Sequence, residues 1–395
     1  MPVPISFDRT RLRDPALQPI GEKLIEGTRL SADDAVTLFR TPDLLGVGVM
    51  ADAANRARHG DRVTFAANQH INPTNICVLR KTCVFCGYAR LPKEAGAYRY
   101  SLEQILAESD RADGTITREF HIVGGLDMQA GLAYYADMFR ALKARHPQVH
   151  IKALTAVEIA HIARIEKMSR EDVLMALREA GLDTLPGGGA ETFSAAVRDV
   201  IADRKLGGAD YIDVHRTAHR LGIRSNCTML YGHVETIEDR VQHLTMLRDL
   251  QDETGGFLAY IPLAYHPDDN ELGRTLGREG VASTGFDDLR NLAVGRLYLD
   301  NFEHIKSHWI MVTPALSQIA LHFGVNDIEG TVVREKIYHA VGAHTPQGMT
   351  LPELLALIRG AGKQPAERDS FYRVLRDFDR ESSEAAADAL HLAPA

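Results

Sequence analysis

Between residues 60 and 327 the chain alternates short apolar runs with longer stretches whose apolar positions recur every three to four residues. The short runs, at 63–67, 119–123, 149–154, 182–185, 224–230, 257–263 and 305–312, have strand length, and several end in Gly, Pro or Asn. The intervening stretches, at 101–110, 130–144, 170–180, 211–221, 237–253, 286–298 and 315–323, carry helical periodicity, with Ser101 as a cap. Strands separated by helices are the signature of a parallel α/β sheet. Their number and spacing predict a closed, TIM-type (β/α) barrel rather than an open doubly wound sheet. Ahead of it, residues 17–58 read as polar-faced helices. Ser31 is a candidate N-cap with acids in the following turn, and 44–58 is an Ala-rich helix. Behind it, helical stretches are expected at 352–359 and 367–376, then an Ala- and Asp-rich tail that frays. The expected division is an N-terminal helical cover (1–60), the barrel (61–327) and a C-terminal helical extension (328–395).

Composition narrows the class. An apolar fraction of 45% over 395 residues is enough for a sizeable core. The net charge of −8 argues against nucleic acid as a main partner. No apolar run approaches the ~20 residues that cross a bilayer, so membrane insertion is not expected. The first residues lack the basic-then-apolar pattern of a secretory signal. Four cysteines, three of them within ten residues, make a poor disulfide framework. The expectation is a soluble cytoplasmic protein with a reduced, metal-binding thiol cluster.

Those thiols, Cys77, Cys83 and Cys86, lie in the stretch 68–88, after the first predicted strand. Three thiolates suit zinc, or three irons of a [4Fe-4S] cluster whose fourth iron stays open. Gly124-Gly125 closes the next strand; it is either a tight turn or a place where backbone approaches a ligand. Pro186-Gly-Gly-Gly-Ala-Glu191 is a stronger signal, because a carboxylate beyond three glycines can accept from a diol such as a ribose. Glu158 is a second polar contact or a helix N-terminal acid. His233, Glu235 and His266 fall at the ends of the fifth and sixth predicted strands, and Lys306 and Trp309 within the seventh. Imidazoles there can hydrogen-bond or move a proton, and a lysine can pair with a carboxylate. Cys227 is expected in the core, Trp309 and Tyr265 in packing roles, and His215, Arg216 and His219 on a solvated helix face.

The cysteine loop resembles the cluster loop of radical S-adenosylmethionine (SAM) enzymes. His121-Ile-Val-Gly-Gly125, Leu185-Pro-Gly-Gly-Gly-Ala-Glu191, Thr228-Met-Leu-Tyr-Gly-His-Val-Glu235 and Gln251-Asp-Glu-Thr-Gly-Gly-Phe257 resemble the aminofutalosine synthase family, from about residue 60 to 375. The resemblance implies a radical SAM barrel in which Cys77, Cys83 and Cys86 hold a [4Fe-4S] cluster. It further implies that Phe85 packs near the adenine, that Gly124 and Gly125 bind the SAM amino group, and that Glu191 binds its ribose. The implied reaction adds the 5′-deoxyadenosyl group of SAM, a co-substrate, to 3-[(1-carboxyvinyl)oxy]benzoate. Aryl migration and loss of the carboxyl carbon follow, in a route to menaquinone. A reducing donor such as flavodoxin or ferredoxin is implied. Position alone nominates His233, His266 and Lys306 for the substrate's two carboxylates. The rival readings are a dehypoxanthine futalosine cyclase, a deazaflavin-cofactor synthase and, from another class, a zinc-binding scaffold. One departure stands out: five residues, Val78-Leu-Arg-Lys-Thr82, separate the first two cysteines where the family usually has three. Closing the longer loop costs only a few tenths of a kcal/mol more.

Overall fold

The computed structural model describes residues 3–111, 117–278, 283–332 and 335–379, and the Ala- and Asp-rich tail lies outside them. In chain order the strands are β1 (Arg62–Phe65), β2 (Asn68–Ile71), β3 (Glu119–Ile122), β4 (His150–Ala153), β5 (Ser225–Tyr231), β6 (Phe257–Ala264), β7 (His304–Ser307), β8 (Asp327–Ile328), β9 (Gln364–Arg368) and β10 (Val374–Asp377). β2, β3 and β4 form one parallel ladder, and β5 to β8 another. Thr184 bridges to Lys152 and Leu185 to Ser225, which joins the two ladders through residues 184–185. The wall is therefore the expected parallel barrel.

Its seam, between β8 and β2, is closed by a side chain. Asn68 donates from Nδ2 to Glu329 (2.6 Å), and its Oδ1 accepts from the Val332 N–H (3.0 Å). Phe120, Ile122, Ile151 and Ala153 join the apolar layer under the outer helices. Strand side chains alternate, so Glu119, His121 and Lys152 are sent the other way, into the barrel. Helix starts are locally encoded. Ser31, Ser101, Thr155, Thr236 and Thr350 each form a capping box, with the third helical residue reaching back to the cap. Helix Leu44–His59 packs on Gly285–Tyr298 and covers one flank of the barrel.

Several elements differ from the sequence reading. The run 63–67 contains β1, which pairs in parallel with β8 and with β9, and only Ala66 and Ala67 separate it from β2. The barrel strand preceding the cysteines is β2. Residues 305–312 split into β7 and one helical turn, Trp309–Val312. Periodicity cannot distinguish strand from helix in a run buried on all sides. The helix expected at 367–376 is instead part of the β9–β10 hairpin. β9 extends the edge of β1 in parallel, from Arg62 opposite Gln364 to Phe65 opposite Glu367, and that template overrides local propensity. The segment beyond 328 thus continues the barrel's own sheet rather than forming a purely helical addition. Helix Ala156–Glu166 lies outside the stretches read as helical, and Glu158 is its N-terminal acid, one of the two readings offered for that residue. His215, expected on a solvated face, is fully buried, and it shares the Ser225 hydroxyl with the half-buried His219 at 2.8 Å each. Arg216 is solvated and pairs with Glu253.

Candidate active site

A cavity of about 330 Å³ occupies the barrel and opens toward the loops that follow the strands. Cys77, Cys83 and Cys86 stand in its wall, with Phe85 between the second and third. The five-residue excursion returns on itself as a tight turn. Arg80 N–H donates to the Cys77 carbonyl (3.2 Å), and Cys83 N–H to that of Leu79 (2.8 Å). Leu79 tucks among Leu126, Val157 and Ile201, so the longer gap is anchored by apolar burial. A second tie holds the far side: Cys83 bridges to Ala202, and Val84 N–H donates to the Ile201 carbonyl (3.0 Å). Among the described residues, no three His, Cys, Asp or Glu side chains converge as a single metal ion requires. A four-iron cluster takes one thiolate per iron, and the three thiols on this one loop are a donor set that fits it. Burial pushes the Cys77 and Cys83 thiols up, and Lys205 partly offsets this at Cys83.

The glycine pair after β3 packs against this loop. A Cβ on Gly125 would sit 2.2 Å from the Ile76 carbonyl oxygen. Both N–H groups are already spent: Gly124 donates to Glu158 (3.0 Å) and Gly125 to the Thr74 carbonyl (2.9 Å). What the pair can offer a bound amino group is carbonyl oxygen, that of Gly125 already accepting from Asp127 N–H (3.1 Å). Gly125→Ala is expected to push the Cys77 segment out of place. Iron content and visible absorbance after reconstitution should fall severalfold, with little change in far-ultraviolet dichroism.

Glu158 lines the cavity but serves as the capping-box acid of helix Ala156–Glu166, its second oxygen accepting from Thr155 N–H (2.7 Å). It tethers the end of β3 to the start of that helix. Burial pushes its carboxyl up to about 7, against the pull of the Thr155 and Gly124 donors. Glu191, 6% exposed, follows the glycine turn with φ of +50°. A non-glycine residue held there costs about 1 kcal/mol or more and is over-represented at ligand sites. Gly187 is required by its own φ of +85° and by the Asn226 carbonyl, 2.3 Å from where a Cβ would lie. Glu191 forms an ion pair with Lys205, whose Nζ also lies 5.4 Å from the centre of the Phe85 ring. Burial opposes the Lys205 charge, but Glu191 and Cys83 more than restore it. Lys205→Met should strand a buried carboxylate and cost about 3 kcal/mol in urea unfolding.

Of the residues nominated for substrate, His266 and Lys306 line the cavity and His233 does not. The His233 side chain is wholly buried. Its Nδ1 accepts from Val234 N–H (2.8 Å) and faces Glu235 (3.0 Å), while Nε2 lies 3.1 Å from the Leu230 carbonyl. Those bonds make it a brace for the loop after β5, so the substrate role expected of it is not supported by its position. His266 stands edge-on to Tyr338, 3.8 Å from Asp268. Lys306 pairs with Glu329 at 2.7 Å. Tyr265 also lines the cavity, while Trp309 and Cys227 are core, as expected. Sequence reading missed Lys205 and most of the cavity's deep end: His70, Glu119, His121, Lys152, His308 and Glu329. A signal existed: the pairs Glu119/His121 and His150/Lys152 put polar residues at alternate strand positions whose opposite face is apolar, and Asn68/His70 repeats the spacing although Gln69 stands between them.

Fold and site together define a barrel enzyme with a thiol-ligated cofactor at its mouth. The family model of the Radical SAM superfamily matches residues 71–247, and that of the CofH/MqnC C-terminal region matches 254–381. The chain belongs to the radical SAM superfamily, in the family that comprises aminodeoxyfutalosine synthases and their CofH/MqnC-type relatives. It is 47% identical to the aminodeoxyfutalosine synthase of Thermus thermophilus, over 93% of this chain and 98% of that one. It is 40% identical to that of Streptomyces coelicolor, over 91% and 94%. The cyclic dehypoxanthine futalosine synthase of S. coelicolor is 36% identical over 91% and 89%. In fold the chain is similar to the FeFe-hydrogenase maturase HydG from Carboxydothermus hydrogenoformans. The TM-score there is 0.71 at 18% identity, covering 90% of this chain and 80% of that one. The protein is thus a radical SAM enzyme whose cofactors are a [4Fe-4S] cluster and SAM. Among the described residues no helix is long and apolar enough to cross a membrane.

Proposed function

We infer that this protein is an aminodeoxyfutalosine synthase, joining the 5′-deoxyadenosyl group of SAM to 3-[(1-carboxyvinyl)oxy]benzoate in menaquinone biosynthesis. The observation that carries the reading is the 47% identity to the T. thermophilus synthase along nearly both whole chains, against 36% for the cyclic dehypoxanthine futalosine synthase. When bound, the cluster supplies the electron that cleaves SAM to methionine and a 5′-deoxyadenosyl radical. Cys77, Cys83 and Cys86 are the residues that would hold it. Gly124 and Gly125 present carbonyls to the SAM amino group, Phe85 packs by the adenine, and Glu191, steadied by Lys205, takes the ribose. Glu158 acts on SAM only by fixing where Gly124 lies. The apolar wall of Leu230, Ile261, Leu263 and Met311 excludes water and limits stray hydrogen donors. Of the nominated carboxylate partners, His266 is left for the enolpyruvyl carboxylate, because Lys306 is already paired with Glu329 (2.7 Å). The reading places the enzyme in the cytoplasm, with flavodoxin or ferredoxin as electron donor.

Anaerobic reconstitution followed by incubation with SAM and each candidate substrate tests this. Mass analysis should show an adenosyl adduct with the enolpyruvyl benzoate and methionine in equal amounts. Ring closure of a dehypoxanthine futalosine without SAM incorporation would transfer the protein to the cyclase reading.

A further inference from the structure

We propose that the deep end of the cavity is a binding site for an aryl carboxylate, held by His70 and His308, neither of which has an assigned role. The identity of that aryl group as the benzoate of the substrate rests on the function inferred above.

The deep end is built from one layer of the barrel. His70, His121 and Lys152 are register partners across β2, β3 and β4, and Lys306 and His308 close the ring from β7 and its end. All five line the cavity. Their charges are largely committed: Lys306 pairs with Glu329 at 2.7 Å, and Lys152 with Glu119 at 2.7 Å. The imidazoles are different. His70 Nε2 and His308 Nδ1 are sealed from solvent and have no hydrogen-bond partner. Buried nitrogens of the core histidines His215 and His243 share that state, but His70 and His308 are the imidazoles of this kind that line the cavity, where a ligand can satisfy them. His121 stacks on His70 at 4.6 Å between ring centres and fixes its plane, while Glu329 lies 3.9 Å from the other nitrogen of His308.

A carboxylate matches this set. It carries two oxygens that accept only, and each imidazole can turn an N–H toward it. With each lysine beside its own carboxylate, and Glu335, which also faces His70, paired with His339 at 2.8 Å, an incoming anion meets no unpaired carboxylate in the ring.

The chemistry of the substrate selects which carboxylate comes here. In 3-[(1-carboxyvinyl)oxy]benzoate the methylene carbon must face the deoxyadenosyl group, at the pole of Cys77, Cys83 and Cys86. The enolpyruvyl carboxylate is attached next to that carbon and stays at the same pole. The ring carboxylate is the anionic group farthest from it. A molecule placed for attack at one end therefore delivers its benzoate to the other. His70 and His308 would be the binding residues that distinguish it from a neutral arene.

Two measurements test the site separately from the reaction. In the first, the reconstituted enzyme with SAM is titrated with 3-methoxybenzoate and with anisole, for wild type, His70→Gln, His308→Gln and the two Ala variants. The carboxylate should bind wild type at least tenfold more tightly than anisole does, and the Ala variants should lose most of that preference. The Gln variants keep a donor and should retain part of it, which serves if an Ala variant does not fold. In the second, turnover of the full substrate is compared with that of 1-carboxyvinyl phenyl ether. The Ala variants should raise KM about tenfold for the first and leave it unchanged for the second. Equal binding of both arenes by wild type, or variants that keep the preference intact, would overturn the proposal. If the preference depends on the histidines but wild type forms no adenosyl adduct, the carboxylate site stands and the inferred function falls.

Discussion

Cys83→Ala is expected to abolish adduct formation, to below a thousandth of wild type, while leaving a folded barrel. The thiol is 6% exposed and contributes no disulfide or side-chain hydrogen bond that the fold would miss. What holds position 83 is backbone: its N–H bond to the Leu79 carbonyl and its bridge to Ala202. Alanine keeps both. The loss falls on the cluster, which with two remaining thiolates is no longer anchored at three corners. Reconstituted variant should therefore show depleted iron and weak visible absorbance with a wild-type far-ultraviolet spectrum. Cys227→Ala is the matching control. That thiol sits inside β5, and its removal should cost about 1 kcal/mol of packing without touching iron content. Equal loss of iron in both variants would mean that the thiols act through stability alone.

Arg368→Met is expected to lower stability by about 3 to 5 kcal/mol, read as the urea midpoint multiplied by the transition slope. Arg368 is fully buried and grips both oxygens of Asp327 at 2.5 and 2.8 Å, with Tyr372 stacked on the guanidinium. Removing the cation leaves a carboxylate in the floor of the barrel, 3.9 Å from Lys306. Arg373→Ala, in the same hairpin, breaks a pair whose arginine is 75% exposed and should cost less than about 1 kcal/mol.

The floor should also be acid-labile. Burial alone would push the Glu119 carboxyl up, but Lys152 and His150 outweigh it and leave it well below the usual carboxylate range. Ser370 donates to the same carboxyl from the hairpin (2.5 Å). A carboxyl whose folded pKa is depressed contributes stability above its unfolded value near ~4.3, and loses it as pH falls further. Stability measured from pH 6 down to 3 should drop, and Glu119→Gln should flatten that slope.

How much of this was legible without coordinates differs from element to element. Helix Arg170–Ala180 is read to the residue, and Leu44–His59 and Ile237–Thr254 to within one, because period, caps and terminal glycines are local signals. The cysteine loop, the glycine turn and Glu191 were legible because thiols, glycines and an acid cluster in sequence. The deep end was not, since His70, His121, Lys152 and His308 lie on three strands and a loop after a fourth. Only strand register makes them neighbours.

The sequence by itself determined the alternation of strand and helix, and so the parallel barrel, along with the three-thiol loop at its mouth. Period and spacing suffice for those, because each is set within a few residues. Tertiary structure alone decided that residues 364–377 form strands on the β1 edge, that His233 is a brace, and that the N–H groups of Gly124 and Gly125 go to Glu158 and Thr74. It also decided that Lys205 meets Glu191 and that two unpartnered imidazoles share one cavity. Each of those outcomes depends on which distant groups reach a buried atom first, and a buried polar atom must take its partner from whatever the fold brings near.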